Sequence, residues 1–335
     1  MRLIEKVWFE NDKARWWLVP ILLPLTALFF FISLIRRIAF RTGLFNSYSV
    51  NKPVIVVGNI GVGGNGKTPV VIHLVELTKS LGLKPGVISR GYGGNADIYP
   101  YSLSEHSTTE EAGDEPILIF KRCHIPVVVG SDRVANAKKL LELGCDVIIS
   151  DDGLQHYRLQ RDLEIIVVDG KRLFGNGLLL PAGPLREGTS RLDNADIVIY
   201  NGEANIRNTS SLLMNLAAIK LRNVQSDEDV GLCEFLSKNI QVNAIAGIGS
   251  PKRFFDTLQG LGFTLAAQQG FIDHKSFSPE DFNLFKGDLP LLMTEKDAVK
   301  CQQFAQDNWW YLPVDAKFSV HDEQILTQHI QQLIS

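Results

Sequence analysis

Apolar positions are distributed along this chain in two contrasting ways. From Trp16 to Ile35 they run together: WWLVPILLPLTALFFFISLI carries no formal charge over twenty residues. A helix rising about 1.5 Å per residue would reach ~30 Å over that length, the thickness of a bilayer core. Trp16 and Trp17 stand at one end and Arg36, Arg37 and Arg41 follow the other, flanks suited to a membrane interface. A cleaved leader fits poorly, because Glu5, Glu10 and Asp12 precede the run and no small-residue cleavage site follows it. Pro20 and Pro24 each remove an amide donor, and Pro20 offers a start for a shorter helix that dips into one leaflet. A full span and a buried core helix are the alternatives. The arginines after the run place everything downstream on the cytoplasmic side.

Beyond residue 50 the apolar positions fall into short β-branched runs instead. Val54 to Val57, Lys84 to Ser89, Ile125 to Val129, Val147 to Ile149, Leu163 to Asp169 and Asp196 to Tyr200 read as buried strands. Helical periodicity, as in Val70, Leu74 and Leu77 or over Val134 to Leu143, separates some of them. Strands without polar alternation, interleaved with helices, predict an α/β fold with a doubly wound, mostly parallel sheet. Asn243 to Gly249, followed by the amphipathic pattern of Phe254, Leu258 and Leu261, opens a second α/β unit. Gly202 to Gly231 is the expected connection, although it contains strand-like apolar runs. The predicted organisation is an anchor helix and linker over 1–50, a nucleotide-binding core over 51–225 and a smaller C-terminal α/β lobe over 226–335.

Composition adds exclusions. In 335 residues, 45% hydrophobic and 21% charged, wholesale disorder is excluded. A net charge of -3 speaks against a general nucleic-acid binder. Cys123, Cys145, Cys233 and Cys301 are too scattered for a zinc site or disulfide framework and read as thiols in a reducing compartment.

The chemistry begins where the first core strand ends. Gly61-Val62-Gly63-Gly64-Asn65-Gly66-Lys67-Thr68 matches G-x-x-x-x-G-K-[ST] between a strand and a helix. Glycines let backbone N–H groups converge on phosphate oxygens at a helix N-terminus; Lys67 is expected on the β/γ-phosphates and Thr68 on Mg²⁺. A second acid for the magnesium is expected at a buried strand end, and Val147-Ile148-Ile149-Ser150-Asp151-Asp152 supplies two, with Gly153 expected to permit the chain to break there. A plain D-D-G surface turn is the alternative. Thr294-Glu295-Lys296-Asp297 lacks the spacing of the guanine-reading N/T-K-x-D and reads as a polar strand-to-helix turn. P-loop and double aspartate alone leave ATPase, GTPase and kinase open.

Eight segments narrow the choice: VGNIGVGGNGKTP, SRGYGG, GDEP, DDGLQH, LPAGPLRE, AGIGSPKRFF, DHKSF and TEKDAVK, in that order from residue 57 to 300. With the apolar N-terminus, the chain resembles the tetraacyldisaccharide 4'-kinase family of Gram-negative inner membranes over nearly its whole length. Asn65 departs from the small hydroxyl residue expected there, at a variable position of the loop. The resemblance implies transfer of the ATP γ-phosphate to the 4'-hydroxyl of a tetraacylated glucosamine disaccharide 1-phosphate, giving lipid IVA. It also implies a membrane-held lipid substrate and catalysis on the cytoplasmic face; nothing in the sequence indicates a protein partner.

By the same resemblance Asp114 of GDEP is the candidate base and His274 of DHKSF its hydrogen-bonding partner. From the residues alone Asp114 is equally an N-cap for the helix beginning near Pro116, and His274 an exposed loop residue. Arg90, Arg133 and Arg186 carry forks suited to phosphate oxygens of ATP or of the lipid's 1-phosphate. Gln155 and His156 are candidates around the Mg²⁺–nucleotide shell, and Glu115 for support of Asp114 or the metal. If His274 acts on Asp114, those boundaries put the site between the lobes. Two other readings compete: a membrane-associated P-loop ATPase or GTPase switch acting through a protein partner, and a soluble small-molecule kinase with a fortuitous apolar end.

Overall fold

A computed structural model describes residues 3–202, 211–285 and 287–334; part of the expected connection, 203–210, lies outside the described residues. The chain forms two compact units. The first comprises Met1–Arg90, Ile125–Asn215 and Lys317–Ser335, the second Gly91–His124 and Leu216–Ala316.

Seven strands of a nine-stranded sheet run parallel in the order Ser211–Ala217, Ile197–Asn201, Leu163–Asp169, Val54–Gly58, Val147–Asp151, Pro85–Ser89, Val127–Val129. Every residue of Val54–Gly58, Val147–Asp151 and Leu163–Asp169 is buried, which is why these strands read as unbroken apolar runs. Val54–Gly58 is central, with later strands on both sides. The sheet therefore reverses its strand order next to the P-loop, where ligands of open α/β sheets bind. Val56, Ile88, Val128, Leu140 and Ile148 form part of the core behind that edge.

Before the sheet comes one continuous helix, Arg15–Arg41, with Pro20 and Pro24 inside it. Pro20 therefore does not open the helix. Twenty-seven residues reach about 40 Å, and among the described residues this is the helix long and apolar enough to cross a bilayer. Trp16, Ile21, Leu28, Phe31, Ile32 and Ile35 are exposed. Thr26, at mid-helix, is buried: its hydroxyl donates to Leu179 O (3.4 Å) and accepts from Ala182 N (3.0 Å). The short helix Leu3–Phe9 adds Trp8, whose indole donates to Pro181 O at 3.2 Å.

The second unit carries a six-stranded mixed sheet in the order Asp229–Gly231, Lys220–Asn223, Trp309–Leu312, Leu291–Thr294, Gln241–Ala246, Thr264–Gly270. Its middle strands are parallel and the Asp229 and Lys220 strands antiparallel. Leu221, Phe235, Val242, Phe254, Leu258 and Leu312 pack on one face. Residues 91–124, which the sequence places inside the P-loop core, belong here. Their helix Asp114–Cys123 packs on the helix Glu295–Cys301, and Arg122 pairs with Glu295 at 2.6 Å and with Asp315.

Candidate active site

In the first unit the P-loop leaves Val54–Gly58 and enters the helix Lys67–Ser80. Gly66 caps that helix in the left-handed region (φ 90°), and a Cβ there would stand 2.6 Å from the Asn201 amide nitrogen. That amide donates to Asn65 O at 3.2 Å, so Asn201 holds the loop through the backbone of the one residue that departs from the expected pattern. Val62 N donates to Pro184 O at 2.9 Å, tying the loop's other arm to the LPAGPLRE segment.

The double aspartate ends the adjacent parallel strand. Asp151 is buried and its Oδ2 accepts from Ser89 at 3.3 Å. Asp152 takes the left-handed conformation (φ 48°) and turns its carboxylate to Lys67 Nζ (3.6 Å) and Arg186 Nη1 (3.1 Å). The break thus falls on Asp152. Gly153 serves a different need from the one the sequence suggests, since a Cβ there would lie 2.2 Å from Ser150 Oγ. Burial pushes the Asp152 carboxyl up, but the charges of Lys67 and Arg186 outweigh it and hold it below its ordinary value. Two carboxylates and the Thr68 hydroxyl make a hard oxygen set that suits Mg²⁺, and this end of the sheet brings them to the P-loop.

Arg133 opens the helix Arg133–Glu142, which Asp132 caps by accepting from Val134 N (3.0 Å) and Ala135 N (3.2 Å). Its guanidinium is buried and donates to Asp151 O at 3.1 Å; burial lowers its proton affinity to about 10. His156 is pushed down to about 4, first by burial and then by the positive charges of Arg133, Arg36 and Arg90. Arg36 comes from the apolar helix. Gln155 spends its amide on Asn59 O (3.3 Å) and Glu187 Oε1 (2.8 Å). Buried Glu187 also accepts from Tyr157 at 2.9 Å and pairs with Arg191 (3.5 Å) and Arg37 (3.8 Å). Glu187 and Asn201 organise this site and were not singled out in the sequence. Glu187 closes LPAGPLRE, but a surface glutamate looks the same there.

Asp114 and His274 meet inside the second unit, so the pair does not straddle the two units. The segment carrying Asp114 folds with the one carrying His274. Gly113 is the N-cap of Asp114–Cys123 and Asp114 its first residue; one carboxylate oxygen accepts from Glu115 N at 3.0 Å. Both oxygens also face His274 Nδ1, at 3.2 and 3.1 Å. Lys296 Nζ stands 3.8 Å and Lys300 Nζ 4.0 Å from the same carboxylate. Burial raises the Asp114 carboxyl, but the His274 hydrogen bond and the two ammonium charges prevail and leave it below its ordinary value. The His274 imidazole is raised, chiefly by that hydrogen bond, against burial and Lys296.

The lysines were missed in the sequence. Thr294 caps Glu295–Cys301 by accepting from Asp297 N, so TEKD is the expected strand-to-helix turn. Lys296 and Lys300, four apart on one helix face, were the available signal.

The family model of tetraacyldisaccharide-1-P 4'-kinase (LpxK) matches residues 18–335. Tetraacyldisaccharide 4'-kinase of Colwellia psychrerythraea is 62% identical over 99% of this chain and 98% of its own. That of Vibrio vulnificus is 50% identical over the same shares. The crystal structure of LpxK from Aquifex aeolicus in complex with ATP superimposes with a TM-score of 0.79 at 31% identity, covering 95% of this chain and 100% of that one. Matched over residues 18–335 by the family model, this chain belongs to the tetraacyldisaccharide-1-P 4'-kinase family.

Proposed function

We propose that this protein transfers the γ-phosphate of ATP to the 4'-hydroxyl of a tetraacylated glucosamine disaccharide 1-phosphate, forming lipid IVA for lipid A. Asp114–His274 carries this reading over a partner-regulated switch. A switch hydrolyses its nucleotide with water and needs no dedicated base for a sugar hydroxyl, whereas transfer to that hydroxyl needs a group to receive its proton.

Lys67 and the P-loop backbone amides hold the β- and γ-phosphates. Thr68, Asp151 and Asp152 hold Mg²⁺, which when bound neutralises charge on the phosphate oxygens. The acceptor oxygen forms its bond to the γ-phosphorus as the bond from phosphorus to the bridging oxygen breaks; ADP leaves and the hydroxyl proton passes to Asp114. Arg90, Arg133 and Arg186 serve anionic oxygens of ATP and of the lipid's 1-phosphate. Lys67 and Arg186 face Asp152 at 3.6 and 3.1 Å; Asp152 would hold Mg²⁺ when it is bound, and the two cations would serve phosphate oxygens.

The helix Arg15–Arg41 lies in the cytoplasmic leaflet of the inner membrane instead of spanning it. Thr26 supports this: a helix hydrogen-bonded at its midpoint to the loop 179–182 would carry that loop's polar backbone to the bilayer centre if it spanned. Its exposed apolar face suits an interfacial helix beside the membrane that holds the acceptor.

The test is direct. Purified enzyme in detergent with γ-labelled ATP, Mg²⁺ and tetraacyldisaccharide 1-phosphate should label the lipid. Wild-type protein that binds nucleotide yet transfers no label, or releases only labelled phosphate, would overturn the reading.

A further inference from the structure

Asn201 ends its strand with its backbone fixed on both sides and its side chain turned on the P-loop. Its register partners are Asp169 and Met214, and its carbonyl accepts from Gly170 N at 2.9 Å. A side chain carried on a strand held in this way is precisely placed. The group that faces Asn65 O at 3.2 Å must be the amide nitrogen, because a carbonyl oxygen only accepts.

That bond fixes a peptide plane. The Asn65–Gly66 peptide is trans, so its C=O and N–H point in opposite directions across one rigid plane. Residue 66 has to be glycine, since a Cβ there would stand 2.6 Å from Asn201 Nδ2 and 3.2 Å from Met214 Cε. Yet glycine adopts positive and negative φ about equally well, so nothing in Gly66 itself prevents the plane from turning over. A reversed plane would aim a carbonyl, instead of an amide, at bound phosphate. We propose that Asn201 is a positioning residue which grips the Asn65 carbonyl and thereby aims the Gly66 N–H at the phosphates of ATP. This rests on the P-loop holding those phosphates. The grip acts on backbone alone, which explains why the side chain at position 65 is free to depart from the expected hydroxyl. Val62 N, already donated to Pro184 O, anchors the other arm, so the two ends of the loop are held by bonds of opposite sense.

Tripolyphosphate, which carries phosphates without base or sugar, separates this role from contact with the nucleoside. Its affinity and that of ATP are measured with Mg²⁺ on the full-length enzyme in detergent. Asn201→Leu keeps the bulk and removes the donor. It should weaken both ligands by about tenfold, the scale of one hydrogen bond to a charged group, while the ligand-free protein melts within a few degrees of wild type. Negative charge grows on the β-phosphate as ADP leaves, so kcat should also fall, by roughly three- to tenfold, with KM for the lipid within about twofold. Asn201→Ser stops one bond short of the Asn65 carbonyl and should repeat the pattern, which separates a lost donor from a fault particular to leucine. Tripolyphosphate that binds both variants as it binds wild type would overturn the proposal. ATP affinity unchanged as well would mean that the bond does nothing for the loop, and ATP affinity alone weakened would assign Asn201 to the adenosine end. Wild-type enzyme that binds ATP but labels no lipid would remove the kinase reading, and the binding comparison would still decide the role of Asn201.

Discussion

Aspartate at the first position of a helix ordinarily serves the free amide groups there, and Asp114 does accept from Glu115 N. A capping role and the proposed base role are compatible in one carboxylate, and an isosteric change separates them. Asparagine keeps an oxygen for the amide but cannot take a proton. Asp114→Asn should therefore melt within a few degrees of wild type while kcat falls by roughly 10²- to 10⁴-fold, with KM for ATP little changed. A loss of nucleotide affinity equal to the loss of turnover would return Asp114 to a purely structural role. In the proposed role Asp114 would act as the ionised carboxylate, which His274, Lys296 and Lys300 hold below its ordinary value against burial. Turnover should accordingly decline as pH falls towards the carboxylate range and hold near neutrality. The meeting of Asp114 with His274 was legible because Gly113, Glu115 and Pro116 make a motif around Asp114. Lys296 was not. Its ammonium meets groups 22 and 182 residues away, at His274 and Asp114, and a lysine in a capping turn is usually a solvated one.

Among the elements, the parallel strands were the easiest to read, because burial on both faces leaves no polar alternation to confuse them. Leu163–Asp169 appears as expected, Val147–Asp151 runs on past Ile149, and Pro85–Ser89 and Val127–Val129 are trimmed at their starts. The apolar run was recognised, but the helix continues past Ile35 to Arg41, and the reading also erred in detail. Pro20 suggested a break, yet proline removes only its own amide bond, and the helix continues through it. Nor could the run show that Thr26, the one hydroxyl before Ser33, is a docking point. Two variants separate docking from membrane contact. Thr26→Val leaves the buried Ala182 amide without its acceptor and should destabilise the helix–body junction by about 1–3 kcal/mol, lowering the melting temperature in detergent. Leu28→Glu with Ile32→Glu touches only the exposed face and should leave melting unchanged while abolishing cosedimentation with anionic lipid vesicles. Undiminished vesicle binding by the double variant would exclude this helix as the membrane contact.

At the scale of the whole molecule, chain order and folded unit diverge. The chain leaves the first unit after Arg90, forms the helix Asp114–Cys123 in the second unit, and returns at Ile125. Sequence could not reveal this excursion, since what commits the segment is a partner some 170 residues later. Arg122 pairs with Glu295 at 2.6 Å, both largely buried. Burial raises the Glu295 carboxyl, and the Arg122 charge and hydrogen bond work against that rise. Arg122→Met strands a buried carboxylate, a change that typically costs about 3 kcal/mol. The loss should be shared by the unit that contains the pair. Hydrogen exchange should quicken together in 91–124 and 216–316, while 54–89 and 147–201 keep their protection and the P-loop continues to bind ATP. Turnover should fall because Asp114 and His274 lie in the loosened unit. Exchange in 91–124 that followed 54–89 instead would mean that the excursion folds with the P-loop sheet, and that Asp114 is held by the nucleotide-binding unit.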